Sequence, residues 1–173
     1  MSVSRIYGDF TFLGTVTFIG SLVLPDGTVD NDAIAAGAAI VTSKMIHRYA
    51  IHYKQDDGTD VVAAIVPIHT VRGATATILA IEVACVDSPS GGDKAFTVDL
   101  KKADQDVPTP ATVLSGVINY SSTQADCEVE TGTISSSSLV AGDSLLAVIA
   151  VSGSTGVQGQ GLIVTVWVDE TPS

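Results

Sequence analysis

The stretch Met45-Ile46-His47-Arg48-Tyr49-Ala50-Ile51-His52-Tyr53-Lys54 alternates with a period of two. In an extended chain Met45, His47, Tyr49, Ile51 and Tyr53 share one face, and Ile46, Arg48, Ala50, His52 and Lys54 share the other. That is the pattern of a strand with one apolar side. Asp57-Gly58 follows as the signal of a hairpin turn into Val61–Val66. Pro67 cannot donate a ladder hydrogen bond, so it predicts an edge strand or a bulge. The same alternation recurs at Thr75–Val86, Ala95–Leu100, Val113–Tyr120, Cys127–Ile134, Ser144–Val151 and Leu162–Val168. In the first of these, Thr75, Thr77, Leu79, Ile81, Val83 and Cys85 fall on one face, which places the Cys85 thiol inside. The connections are rich in Gly, Pro, Asp and Ser, and helical periodicity is almost absent. About eight strands at this spacing predict an all-β fold, a jelly-roll-like β-sandwich over residues 41–173.

Residues 1–40 read differently, as an amino-terminal arm. Phe10–Leu13, Thr15–Ile19 and Leu22–Leu24 predict three short strands separated by Gly14 and Gly20, and Pro25-Asp26-Gly27 closes the last. Strands this short need a partner surface. Phe10, Phe12, Val16, Phe18 and Leu22 are therefore the expected partner-binding residues. Asp30 or Asn31 predicts the cap of a short helix over residues 32–36, with Gly37 as its stop. The apolar span Ile6–Leu24 is broken by Asp9 and by glycines, so neither an export signal nor a membrane anchor is read there.

Composition narrows the function classes. Of 173 residues 46% are apolar and 16% charged, with 8 basic against 19 acidic side chains and a net charge of −11. Average globular chains carry roughly 25% charged residues, and disorder needs more charge and less apolar content than this. Neutralising phosphates takes clustered Lys and Arg, so direct nucleic-acid binding is not expected. Cys85 and Cys127 are too few for a disulfide framework or a Cys-rich zinc site.

A search for reaction chemistry leaves no catalytic residue, cofactor or metal site. His47 and His52 have opposite parity on one strand, whereas a metal site wants its ligands on one side. Ser154 lies in Gly153-Ser154-Thr155-Gly156, which lacks the nucleophile-elbow spacing. Gly156-Val157-Gln158-Gly159-Gln160-Gly161 has neither dinucleotide nor P-loop spacing, and a strand follows it. The acidic groups Asp56/Asp57/Asp60 and Asp26/Asp30/Asp32 suit turns and caps, with calcium as the open alternative, although neither fits an EF-hand loop.

The arm ending Gly20-Ser21-Leu22-Val23-Leu24-Pro25-Asp26-Gly27-Thr28-Val29 leads to an Ala-rich segment. The sandwich closes on Gln158-Gly159-Gln160-Gly161-Leu162-Ile163-Val164-Thr165-Val166. In this arrangement the chain resembles small virion proteins of tailed bacteriophages, particularly capsid decoration (cement) proteins and the bases of head fibres. The resemblance implies a non-enzymatic homotrimer on the capsid exterior, assembled in the host cytoplasm and bracing the major capsid protein. It transfers no individual functional residue. A secreted or surface-displayed glycan-binding sandwich is the alternative reading, and a hydrolase comes third.

Overall fold

The computed structural model describes residues 46–104 and 109–172. The strands and helix expected within residues 10–36, the five partner-binding residues and the acidic group at 26–32 lie outside the described residues. All described strands belong to the second of two units into which the chain divides, Ile40–Ser173.

Ten strands run β1 His47–Lys54, β2 Ala64–Thr70, β3 Thr75–Asp87, β4 Ala95–Ala103, β5 Ala111–Thr112, β6 Ile118–Tyr120, β7 Glu130–Thr131, β8 Ser138–Val140, β9 Ser144–Ser152 and β10 Gln160–Thr171. One sheet has the order β1-β10-β3-β7, with β8 also on β3. The other has the order β2-β9-β4-β5, with β6 also on β4. Every pairing is antiparallel. Since β5 and β6 lie along the same neighbour, as do β7 and β8, each pair counts as one interrupted strand. First then pairs with last, second with seventh, third with sixth and fourth with fifth. This is one long hairpin wrapped into two sheets, the jelly roll that the alternation predicted.

The wrapping corrects the expected hairpin at Asp57-Gly58. A turn does form there, with Gly58 at φ 71° and the Thr59 amide donating to the Asp56 carbonyl at 3.2 Å. It joins strands of different sheets, however, since β1 pairs only with β10 and β2 only with β9. The strand also starts late, at Ala64. Val61 is held at the crossing by its amide bond to the Gly159 carbonyl (2.7 Å). The buried Gln55 amide grips both the N–H and the C=O of Val62, at 3.1 and 3.2 Å. Pro67 behaves as read: β2 is an edge strand, and its register breaks between Pro67 and His69.

The single face assigned to Thr75–Cys85 is corrected too. Ile81, Val83 and Cys85 are fully buried, but before them Ala76 and Ile78 face inward while Thr75, Thr77 and Leu79 are exposed. Leu79 has no partner in the ladder, where Trp167 pairs with Ala80 and Val168 with Ile78. A bulge of one residue inverts which side chains face the core. The expected strands Val113–Tyr120 and Cys127–Ile134 survive only as short pieces. Val113 and Leu114 are both buried at adjacent positions, which breaks the alternation of a strand with one face to the core and one to solvent.

The core between the sheets is built from Ile, Val and Leu around one aromatic pair, Phe96 and Tyr120, stacked with centroids 5.0 Å apart. Each such side chain contributes roughly 1.5–3 kcal/mol by leaving water. Tyr120 also donates to the carbonyls of Ala125 and Glu128, which pins the β6–β7 connection to the core.

Candidate functional site

The residues singled out in the sequence scatter. His52 points outward and contacts the Thr165 hydroxyl at 3.1 Å, while His47 stands exposed at the start of β1. Asp57 pairs with Lys54 at 3.1 Å and Asp60 accepts from Gln160, so the acidic turn is divided between structural tasks. Among the described residues no group of three or more His, Cys, Asp or Glu is placed to hold a metal ion. Ser154 lies in a loop with its amide donating to Asp93 (2.9 Å), and no base adjoins its hydroxyl among the described contacts. Cys85 is buried and bonded to the carbonyls of Asp87 and Gln160, while Cys127 is exposed; both thiols are free. Burial drives the Cys85 thiol up to about 11, so it is inert at neutral pH.

What the sequence reading missed is a polar cluster at one end of the sandwich, where β1 and β10 meet β2 of the other sheet. Tyr49 donates to Glu170, and the His69 Nε2 stands 3.0 Å from the Tyr49 hydroxyl and 3.3 Å from the carboxylate. The other Glu170 oxygen accepts the backbone amides of Arg72 (2.9 Å) and Gly73. Burial works to raise the Glu170 carboxyl, but the donors Tyr49, Gly73 and Arg72, with His69, outweigh it and hold it below the usual range. For Tyr49, burial and then the Glu170 bond push the phenol up, which makes it a donor and no nucleophile. Open hollows of about 510 and 410 Å³ flank this cluster. Chemically the cluster is a clasp between sheets. No local pattern marks it, because Tyr49 stands 20 residues from His69 and 121 from Glu170.

At the other end of the strands the connections β1–β2, β3–β4, β6–β7 and β9–β10 come together. The Asp93 carboxylate accepts the amides of Ser154 (2.9 Å) and Thr155 (2.7 Å) and the Thr155 hydroxyl (2.8 Å). Those bonds, from Thr155 first and then Ser154, lower its pKa to about 2. Ser90 and Val157 exchange backbone bonds of 3.0 and 2.7 Å, so the β3–β4 and β9–β10 loops are fixed to each other. An open hollow of about 340 Å³ lies beside them.

The open flank is the third feature. Among the described residues β2 lies at the edge of its sheet; from Ala64 to Ile68 it carries no charged side chain, and Ile65 is 70% exposed. On the outer face Ile65 lies opposite Val148 and Pro67 opposite Leu146. Lys and other charges are the usual protection of an edge strand; within β2 Pro67 and the register break beside it take that part.

No family model matches the chain, and no curated protein matches it. Among solved structures, one described as the capsid of Ralstonia phage GP4 is similar, with a TM-score of 0.48 at 16% sequence identity over 75% of this chain and 87% of that one.

Proposed function

We propose that the protein is a structural virion protein, a decoration or cement protein that binds the exterior of a phage head as a homotrimer and braces the major capsid protein. The observation that carries this reading is the uncharged β2 edge with its outward Ile65, Pro67, Leu146 and Val148. A monomer in water gains nothing from such an edge, whereas an assembly buries it. The clasp and the Asp57 and Asp60 contacts hold the sandwich together, and among the described residues no group of three or more His, Cys, Asp or Glu is placed to hold a metal ion.

In this reading Phe10, Phe12, Val16, Phe18 and Leu22 bind the capsid or sister subunits. The core cluster of the described sandwich is drawn from residues between Tyr49 and Val168. Deleting residues 1–24 is therefore expected to leave a folded sandwich that no longer decorates capsids, read by circular dichroism and by co-sedimentation with undecorated heads. Retained decoration by the truncated chain, or its failure to fold, overturns the assignment of the arm.

A further inference from the structure

At the Asp93 end of the sandwich Gln160, the first residue of β10, ties the β1–β2 connection to β3. Its side-chain amide donates to Asp60 of the β1–β2 connection (2.8 Å), and its carbonyl accepts the Cys85 thiol (3.0 Å). The adjoining hollow is lined by Asp87 at the end of β3, Ser88 from β3–β4, Asp126 from β6–β7, Val157 and Gln158 from β9–β10, and Gln160 at the start of β10. Gln158 is only 9% exposed, and its side-chain amide nitrogen has no hydrogen-bond partner. Buried polar groups in folded proteins are nearly always paired, so an unmatched amide beside a hollow calls for a hydrogen-bonding partner, a water or the hydroxyl of a ligand.

We propose that this hollow binds a sugar ring through its hydroxyl groups. The donor and acceptor inventory selects that chemistry. The carboxylates of Asp87 and Asp126 accept only, while the Gln158 amide offers a donor at one end and an acceptor at the other. A hydroxyl both donates and accepts, so a pair of neighbouring sugar hydroxyls answers a carboxylate and the amide whichever way the amide is turned. Val157, 58% exposed, gives the C–H face of a ring an apolar surface. A bare cation fits less well. Among the described residues no group of three or more His, Cys, Asp or Glu is placed to hold one, and Asp126 already accepts the Ser88 amide at 2.8 Å. The loops are held in advance by Asp93 and by the Ser90–Val157 bonds, so binding loses little to ordering. The volume of about 340 Å³ lies at the low end of ligand sites, as a single ring requires.

The site uses none of the arm residues, so its test is independent of capsid attachment. The full-length protein is titrated with methyl glycosides of glucose, galactose, mannose and N-acetylglucosamine, with amide NMR shifts as the readout and glycerol and calcium chloride as controls. At least one glycoside should give saturable shifts confined to the loops carrying Ser88, Asp126 and Gln158. Gln158→Leu and, separately, the exposed Asp87→Asn should each weaken that binding about tenfold or more. Asp87→Asn decides the matter if Gln158→Leu does not fold. Silence across all four glycosides, equal binding by the variants, or a response to calcium alone overturns the proposal.

Discussion

Asp93 shows how much one exposed carboxylate can organise. It follows Gly92 in a turn and gathers three donors from a loop some 60 residues away. Its folded pKa of about 2 lies below the unfolded value of about 3.9. The sign follows from linkage: its contribution is complete above the unfolded value and fades as the pH falls through the folded one. Asp93→Asn keeps an acceptor but loses the charge. The wild type should therefore melt above the variant at pH 5, and the gap should close between about pH 4 and pH 2. Thermal scans of both proteins across that range check it, and a gap independent of pH refutes the charge-assisted clasp. Asp143, after Gly142, fills a related corner differently, buried at 3% exposure and accepting the Val140 amide within its own turn. The repeated Gly-Asp pair thus marks a carboxylate used as a backbone acceptor, not a repeated unit.

At the scale of elements, loop approach is what the glycines permit. Gly153 sits at φ 86°, and a Cβ there would stand 2.2 Å from the Asp93 carbonyl oxygen. The left-handed conformation alone costs an alanine about 1–2 kcal/mol, and the clash forces the two loops apart as well. Gly153→Ala should lower stability by more than that figure. Gly116→Ala, with open space around its Cβ, should change it by less than about 0.5 kcal/mol. Urea denaturation of the pair measures the difference, and equal midpoints would remove the argument. The strands themselves tolerate polarity where pairing continues. β4 runs past Leu100 through Lys101 and Lys102, because both still find ladder partners in Leu146 and Leu145 of β9.

For the whole molecule the open flank sets the expectation. A closed ring of three copies covers edges that would otherwise invite unlimited sheet pairing, and closure multiplies weak contacts with a shell. Light scattering of the purified protein at micromolar concentration should give three times the 17.7 kDa chain mass. A mass of one or two chains removes the pre-formed trimer. A net charge of −11 on every chain would work against contact with nucleic acid and against clustering of such assemblies.

The sequence alone determined the class of the fold, because strand periodicity is local: two residues define a face. It also placed Pro67 at an edge or a bulge and Cys85 inside, since a missing N–H and an alternating apolar run act where they stand. Sheet membership was beyond it. Asp57-Gly58 is as good a turn between sheets as within one, and only pairing with the distant strands β10 and β9 decided the matter. The face of Thr75–Ile78 depended on a single unpaired residue, Leu79, whose bulge answers a local irregularity at Trp167 and Val168. The Tyr49–His69–Glu170 clasp and the Gln158 hollow are wholly tertiary. Their members share no spacing, and they meet because wrapping a long hairpin brings distant strand ends to the same two ends of the sandwich.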